Sequence, residues 1–122
     1  PFLGTGTSMF AAIASERNSI GIEYDKNFSS LIIEGLKELS KTANNLVTKR
    51  LEDHIAFCTT YQKEKGPLKY KNENFKFPVM TKQEKDLDLK HICKIDSSDL
   101  SNILVEYQPI RFNSQIFEST AG

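Results

Sequence analysis

The chain has no tryptophan, only two cysteines and four prolines, and no excess of charge of either sign. Each shortage excludes something. Cys58 and Cys93 are too few and too far apart for a disulfide framework or a zinc site, which fits a reducing compartment, so the cytoplasm is the expected location. Sixteen basic residues cancel sixteen acidic ones. Net charge therefore offers no argument for a nucleic-acid or membrane partner, and such a surface would have to come from local clustering. No run approaches the roughly 18 apolar residues of a membrane span. The opening PFLGTGTSMF lacks the basic start of a signal peptide, so no membrane partner is expected. There is also no Met at residue 1, which is expected not to be where translation began. What is present is 122 residues, 39% hydrophobic and 26% charged, the composition of one small domain with a modest core.

Local patterns divide the chain. After the glycine-rich start, SMFAAIASER at 8–17 reads as a short helix with Thr7 or Ser8 as its N-cap and Asn18 as its stop. Residues 19–23 alternate, with Ile20 and Ile22 on one side, which suits a short strand. From Asn27 the apolar positions Phe28, Leu31, Ile32, Leu36, Leu39, Ala43, Val47, Leu51, Ile55 and Cys58 recur at three- and four-residue steps. They predict a long helix, or two with a bend, begun by Asp25 and ended by Lys63, Lys65, Gly66 and Pro67. The next stretch, LKYKNENFKFPVMTKQEKDL, reads as an extended segment or irregular hairpin, because Pro78 excludes a central strand. Residues 91–95 and 103–107 predict a hairpin about the turn DSSDLSN. From Phe112 onward a frayed tail is expected.

The glycine run carries the most chemistry. Gly4 and Gly6 allow positive φ and a close approach of backbone to ligand, and the amides at the following helix start favour an anionic group. Glu23, nineteen positions after Gly4 at the end of the expected strand, stands where a carboxylate can accept hydrogen bonds from both hydroxyls of a ribose. A dinucleotide fingerprint would need a third small residue where Met9 stands, and a P-loop would need a lysine that TGTSM lacks. What remains is a nucleoside carrying a small carboxylate, as in S-adenosylmethionine.

PFLGTGTSMFAAIASERNSIGIEYD resembles the cofactor motif of the beta-class, permuted DNA amino-methyltransferases, in which the catalytic and target-recognition regions come first and the glycine motif near the carboxyl terminus. The resemblance implies that Phe2, Gly4, Thr5, Gly6 and Thr7 form the loop around the methionine portion of S-adenosylmethionine and that Glu23 takes the ribose. It covers residues 1–25, and RLEDHIAF and PLKYKNENFKFPVMTKQE also resemble carboxyl-terminal extensions of some members. The implied fold is α/β, a partial Rossmann-like methyltransferase fold with a long helical segment and a carboxyl-terminal β-hairpin. Residues 1–66 would form the cofactor-binding part with its first strand missing, 67–111 an extended segment and hairpin extension, and 112–122 a tail. The family moves a methyl group to an exocyclic amine of adenine or cytosine, flipped onto the aromatic of a Pro-Pro-aromatic motif. No paired prolines occur here. No catalytic residue is therefore assigned, the chain alone is expected to be inactive, and its partners would be DNA and the missing catalytic segment. The alternative is a non-catalytic interaction module or an inactive remnant.

Other constellations read as structure. His54 and Cys58 share a helix face without further ligands, and His91 with Cys93 sits on an expected strand, so no metal site is assigned. No nucleophile elbow frames any serine. Lys69, Tyr70, Lys71, Phe75, Lys76 and Phe77 interleave basic and aromatic residues as a single-strand binder does, but a half-buried strand shows the same alternation and is the preferred reading.

Overall fold

A computed structural model describes residues 1–110. Its elements are α1 (Thr7–Ala14), α2 (Phe28–Lys65), β1 (Tyr70–Lys71), β2 (Pro78–Val79), a 3-10 turn (Lys82–Asp86), β3 (Lys90–Asp96) and β4 (Leu104–Pro109). Mixed helix and sheet fit the expected α/β class. The described sheets are two separate two-stranded pairs, β1 with β2 and β3 with β4.

The helical stripe from Asn27 forms one continuous helix of 38 residues, about 57 Å long at 1.5 Å per residue. Asp25 begins it as an Asx turn: its side chain accepts from the Asn27 amide at 2.9 Å and its carbonyl from the Phe28 amide. At the other end Gly66 takes φ +92 and donates to the Gln62 carbonyl at 3.0 Å, and Pro67 follows. This is the left-handed stop and breaker expected there.

The chain divides into two compact units. One comprises residues 1–46 and 90–108. Its buried residues are Ile13, Ile32, Leu36, Ala43 and Ile92, with Leu3, Phe10, Val105 and Tyr107 packed against them. Gly35 of α2 is required by this packing, because a Cβ there would overlap the Phe10 ring of α1. Asn44 grips β3 at two points, accepting from the Ile92 amide at 2.7 Å and donating to the Ile92 carbonyl at 3.0 Å. Tyr107 of β4 donates its hydroxyl to the Ile13 carbonyl at 2.6 Å. The seven residues between β3 and β4 are too few for a parallel crossover, so the pair is the expected hairpin.

The other unit holds residues 47–89 with Pro109 and Ile110. Leu51, Phe75, Phe77, Val79 and Ile110 form its core. β1 and β2 pair antiparallel, Tyr70 opposite Val79 and Lys71 opposite Pro78; Pro78 is tolerated because each strand of a two-stranded sheet is an edge. Asn72, with no exposed surface, organises the loops around this pair. Its amide group donates to the Glu84 and Leu87 carbonyls, and its oxygen accepts from the Asn74 and Phe75 amides. All four of its hydrogen-bonding positions are thereby used.

Two local expectations change. Helix α1 starts at Thr7 with Gly6 as its N-cap and ends at Ala14, one residue earlier at its start and three earlier at its end than the expected 8–17 span. It closes by a Schellman motif in which the Arg17 amide reaches the Ala12 carbonyl at 2.8 Å and the Glu16 amide reaches Ile13. Glu16 takes the left-handed position, φ +56, usually given to glycine. The expected strand over 19–23 does not form; one backbone bond, from the Leu3 amide to the Ile22 carbonyl at 2.9 Å, ties it to the glycine loop. A strand needs a ladder of such bonds. The expected tail lies outside the described residues.

Candidate functional site: a glycine loop closed on Glu23

Residues 2–7 bend through left-handed conformations at Phe2, Gly4 and Gly6, with φ +59, +59 and +90. Gly6 combines that φ with close packing, since a Cβ would stand 3.3 Å from the Phe10 ring and 3.4 Å from Ile32. Both constraints demand glycine. The Gly6 carbonyl accepts from the Phe10 amide at 2.9 Å and starts α1, so the helix needs no side-chain cap from Thr7 or Ser8. Gly4 is bound by φ alone, for a Cβ there would meet nothing within 4 Å. The space beside it is open.

The two halves of the sequence motif meet. The Gly4 amide donates to Oε1 of Glu23 at 2.6 Å, across nineteen positions. Oε2 of the same carboxylate accepts from the Asp25 amide at 3.0 Å. The Asp25 and then the Gly4 backbone bond favour the charged form and hold the Glu23 carboxyl below its ordinary pKa. An ionised carboxylate has about four acceptor positions. Two are taken by these amides, and the Tyr24 amide also bears on the same carboxylate.

The remaining loop residues are placed differently. Thr5 and Thr7 are exposed, with their hydroxyls 3.4 Å apart. Phe2 is 93% exposed. The Asp25 amide, the second donor to Glu23, was not singled out from sequence; its only signal was the Asx turn that turns the chain back just after Glu23. An open cleft of about 500 Å³ in the same unit is lined by Leu3, Met9, Arg17, Ile20, Leu104 and Tyr107 among others, but not by Gly4, Gly6 or Glu23. It is not the cleft of the glycine loop.

Ile20, Ile22 and Tyr24 are 92%, 61% and 100% exposed, at alternate positions of one extended segment. Phe2, in the loop itself, is a further bare apolar side chain.

The other constellations are structural. In the second unit, His54 Nε2 lies 2.9 Å from the Pro78 carbonyl and 3.3 Å from the Cys58 sulfur, and its ring packs on Phe77 at 4.7 Å. Burial, then the charge of Glu84, raise the Cys58 thiol above its ordinary pKa, the reverse of an activated nucleophile. No group of three or more His, Cys, Asp or Glu residues among the described ones could hold a metal ion. Phe75 and Phe77 are each 1% exposed, so neither offers a face to a base.

The chain is similar to parts of two type II methyltransferases. It is 49% identical over 89 residues to M.MthZI of Methanothermobacter thermautotrophicus, a match covering 73% of this chain and 24% of that one. It is 55% identical over 40 residues to M.MjaI of Methanocaldococcus jannaschii, covering 31% of this chain and 13% of the relative. The chain therefore spans about a quarter or less of the curated relatives it matches. No family model and no solved structure matches it. Among the described residues no helix is long and apolar enough to cross a membrane.

Proposed function

We propose that this chain is the cofactor-presenting, carboxyl-terminal portion of a permuted, S-adenosylmethionine-dependent DNA methyltransferase that acts on an exocyclic amine of adenine or cytosine. The observation that carries this reading is the bond between Gly4 and Glu23, which joins the glycine loop to the spaced carboxylate. Similarity to two enzymes named type II methyltransferases supports the same class.

The residues present fit the cofactor. The Glu23 carboxylate has acceptor capacity beyond its bonds to the Gly4 and Asp25 amides for a ribose hydroxyl, and open space beside Gly4 with the exposed Thr5 and Thr7 hydroxyls suits a small zwitterion. Phe2, Gly4, Thr5, Gly6 and Thr7 would surround the methionine portion. When bound, S-adenosylmethionine supplies an electrophilic methyl group on a sulfonium. This chain's part is to hold and orient that donor, while the amine is activated by residues of another segment.

That segment is the expected partner, together with DNA. The bare side chains of Ile20, Ile22 and Tyr24 on an extended stretch with one backbone bond to the loop, and of Phe2 in the loop, support its docking here: an apolar strand on the open edge and an apolar surface over these side chains. The relatives' further length leaves room for such a segment.

Calorimetric titration with S-adenosylmethionine tests the reading, with and without the remaining portion of the enzyme supplied. Glu23→Ala should weaken binding about tenfold or more, since it removes a charged acceptor. Absence of binding in both mixtures refutes the methyltransferase reading and leaves the interaction module or inactive remnant.

A further inference from the structure

The stretch after the long helix interleaves basic and aromatic residues, and the fold sorts them. Tyr70, Phe75 and Phe77 belong to the core of the second unit, and Asn72 is buried with them. Lys69, Lys71 and Lys76 are exposed. The register accounts for the sorting. Tyr70 stands opposite Val79 and Lys71 opposite Pro78, and the Asn72 amide continues the ladder by donating to the Phe77 carbonyl at 2.9 Å. Alternate residues of a hairpin share a face. Lys71 therefore lies on the outer face, with Lys69 two positions before it and Lys76 at the loop end of the opposite arm.

This outer face carries positive charge with little to offset it. Lys71 and Lys76 form no ion pair among the described residues, and the Lys69 ammonium lies 5.4 Å over the Tyr70 ring. Glu73 is the one acid between them in sequence. The next acid, Glu84, is already engaged by the Thr81 amide and hydroxyl, both at 2.8 Å. Lys76 supplies a second observation. It takes φ +66, and its amide closes the loop on the Asn72 carbonyl at 3.0 Å. A conformation that glycine would adopt without strain is given to a long cation instead. The buried Asn72, bonded to four backbone groups, holds the loop that presents it.

We propose that the outer face of the β1–β2 hairpin is a phosphate-contact surface for duplex DNA, in which Lys69, Lys71 and Lys76 each meet a backbone phosphate. Contacts of this kind fix the position of a duplex without reading its sequence. A single strand is served less well, because base stacking needs an open aromatic face and Phe75 and Phe77 on this hairpin are each 1% exposed. That the polyanion is DNA rests on the methyltransferase reading above; the cationic surface does not. The hairpin gives this chain a DNA contact of its own, apart from any made by the missing segment.

Fluorescence anisotropy of a labelled duplex of random sequence, titrated with the full chain at about 50 and about 200 mM salt, tests the proposal. Three phosphate contacts give a log–log salt slope of about −2.7, roughly a fortyfold loss of affinity over that range. The double variant Lys71→Gln with Lys76→Gly leaves one contact, a slope of about −0.9 and roughly a fourfold loss. At the lower salt it should bind the duplex at least about tenfold more weakly than the unaltered chain. Lys76→Gly alone should reduce the slope by about 0.9 and melt no lower than the unaltered chain, since glycine accepts φ +66 freely. That single variant decides the matter if the double variant unfolds. Lys41→Gln removes the same charge from an exposed position of the other unit and should change neither affinity nor slope.

No duplex binding at the lower salt overturns the proposal, as does an unchanged slope in a folded hairpin variant. An equal effect of Lys41→Gln reduces the contact to net charge and also overturns it, and so does tighter binding of a single strand of the same length. Calorimetry with S-adenosylmethionine separates this surface from the proposed function. Duplex binding through these lysines without cofactor binding leaves the surface standing and counts against that function, whereas cofactor binding with no effect of the hairpin variants does the reverse.

Discussion

Replacing Asn72 by Ala should be among the most destabilising single changes in the second unit. The side chain is fully buried and satisfies four backbone groups: the amides of Asn74 and Phe75 at 2.8 and 2.7 Å, and the carbonyls of Glu84 and Leu87 at 2.7 and 2.8 Å. The losses are unequal. Leu87 keeps a second donor in the Asn74 side chain at 3.2 Å. The Asn74 amide and the Glu84 carbonyl sit in half-buried surroundings where water can replace the lost partner. The bond to the Phe75 amide is itself buried, away from replacing water. One buried bond lost at about 1–3 kcal/mol and three others at about 0.5–1.5 each give roughly 3–5 kcal/mol, allowing for water at the outer groups. Urea unfolding followed by circular dichroism and tyrosine fluorescence measures it, tyrosine serving because the chain has no tryptophan. Asn72→Asp sharpens the result. It keeps the acceptor for the two amides but turns a carboxylate toward two carbonyls, so it should recover little of the loss. A cost below about 1 kcal/mol for Asn72→Ala, or near-native stability for Asn72→Asp, would refute the role of this side chain as the organiser of residues 72–87.

Other outcomes follow from the same contacts. Gly35→Ala should cost about 1–3 kcal/mol, because the new methyl group must displace the Phe10 ring; thermal melting measures it, and an unchanged midpoint would contradict the packing of α1 on α2. Iodoacetamide should label the exposed Cys93 well before the buried Cys58, whose thiol pKa is raised; equal labelling rates by mass spectrometry would show that the Cys58 pocket opens freely. The Glu23 carboxyl is held below its ordinary value by amides that an unfolded chain lacks. Its contribution to the closed loop should therefore be complete above the unfolded pKa and fade only as pH falls through the lower folded value. Amide resonances of Gly4 and Asp25 that move together in that acidic window would agree, and movement at the ordinary glutamate pKa would not.

Much of the helical organisation was legible because its signals are local. The three- and four-residue spacing from Phe28 to Cys58, an Asx turn at Asp25 and the Gly66-Pro67 stop each act within a few residues of where they stand, and α2 follows them closely. The end of α1 was less legible. A Schellman closure with Glu16 in the left-handed position competes with the helix in a way that neither periodicity nor Asn18 discloses. The strand expected at 19–23 failed for another reason: alternation describes the faces of an extended segment, but the bonds that make it a strand belong to a neighbour.

The sequence by itself determined the glycines at 4 and 6, the acid nineteen positions on, the long helix and the terminal hairpin, because backbone freedom, periodicity and turn chemistry are properties of neighbouring residues. Only the tertiary structure decided that the Gly4 amide and the Glu23 carboxylate are bonded to each other, that Asn72 is the hub of its unit, and that Phe75 and Phe77 face inward. Hydrogen bonding and burial across the chain depend on distances that spacing along it does not contain. At the glycine loop that difference is chemical, since the amide the sequence offers to an anion is, in the folded chain, already held by one.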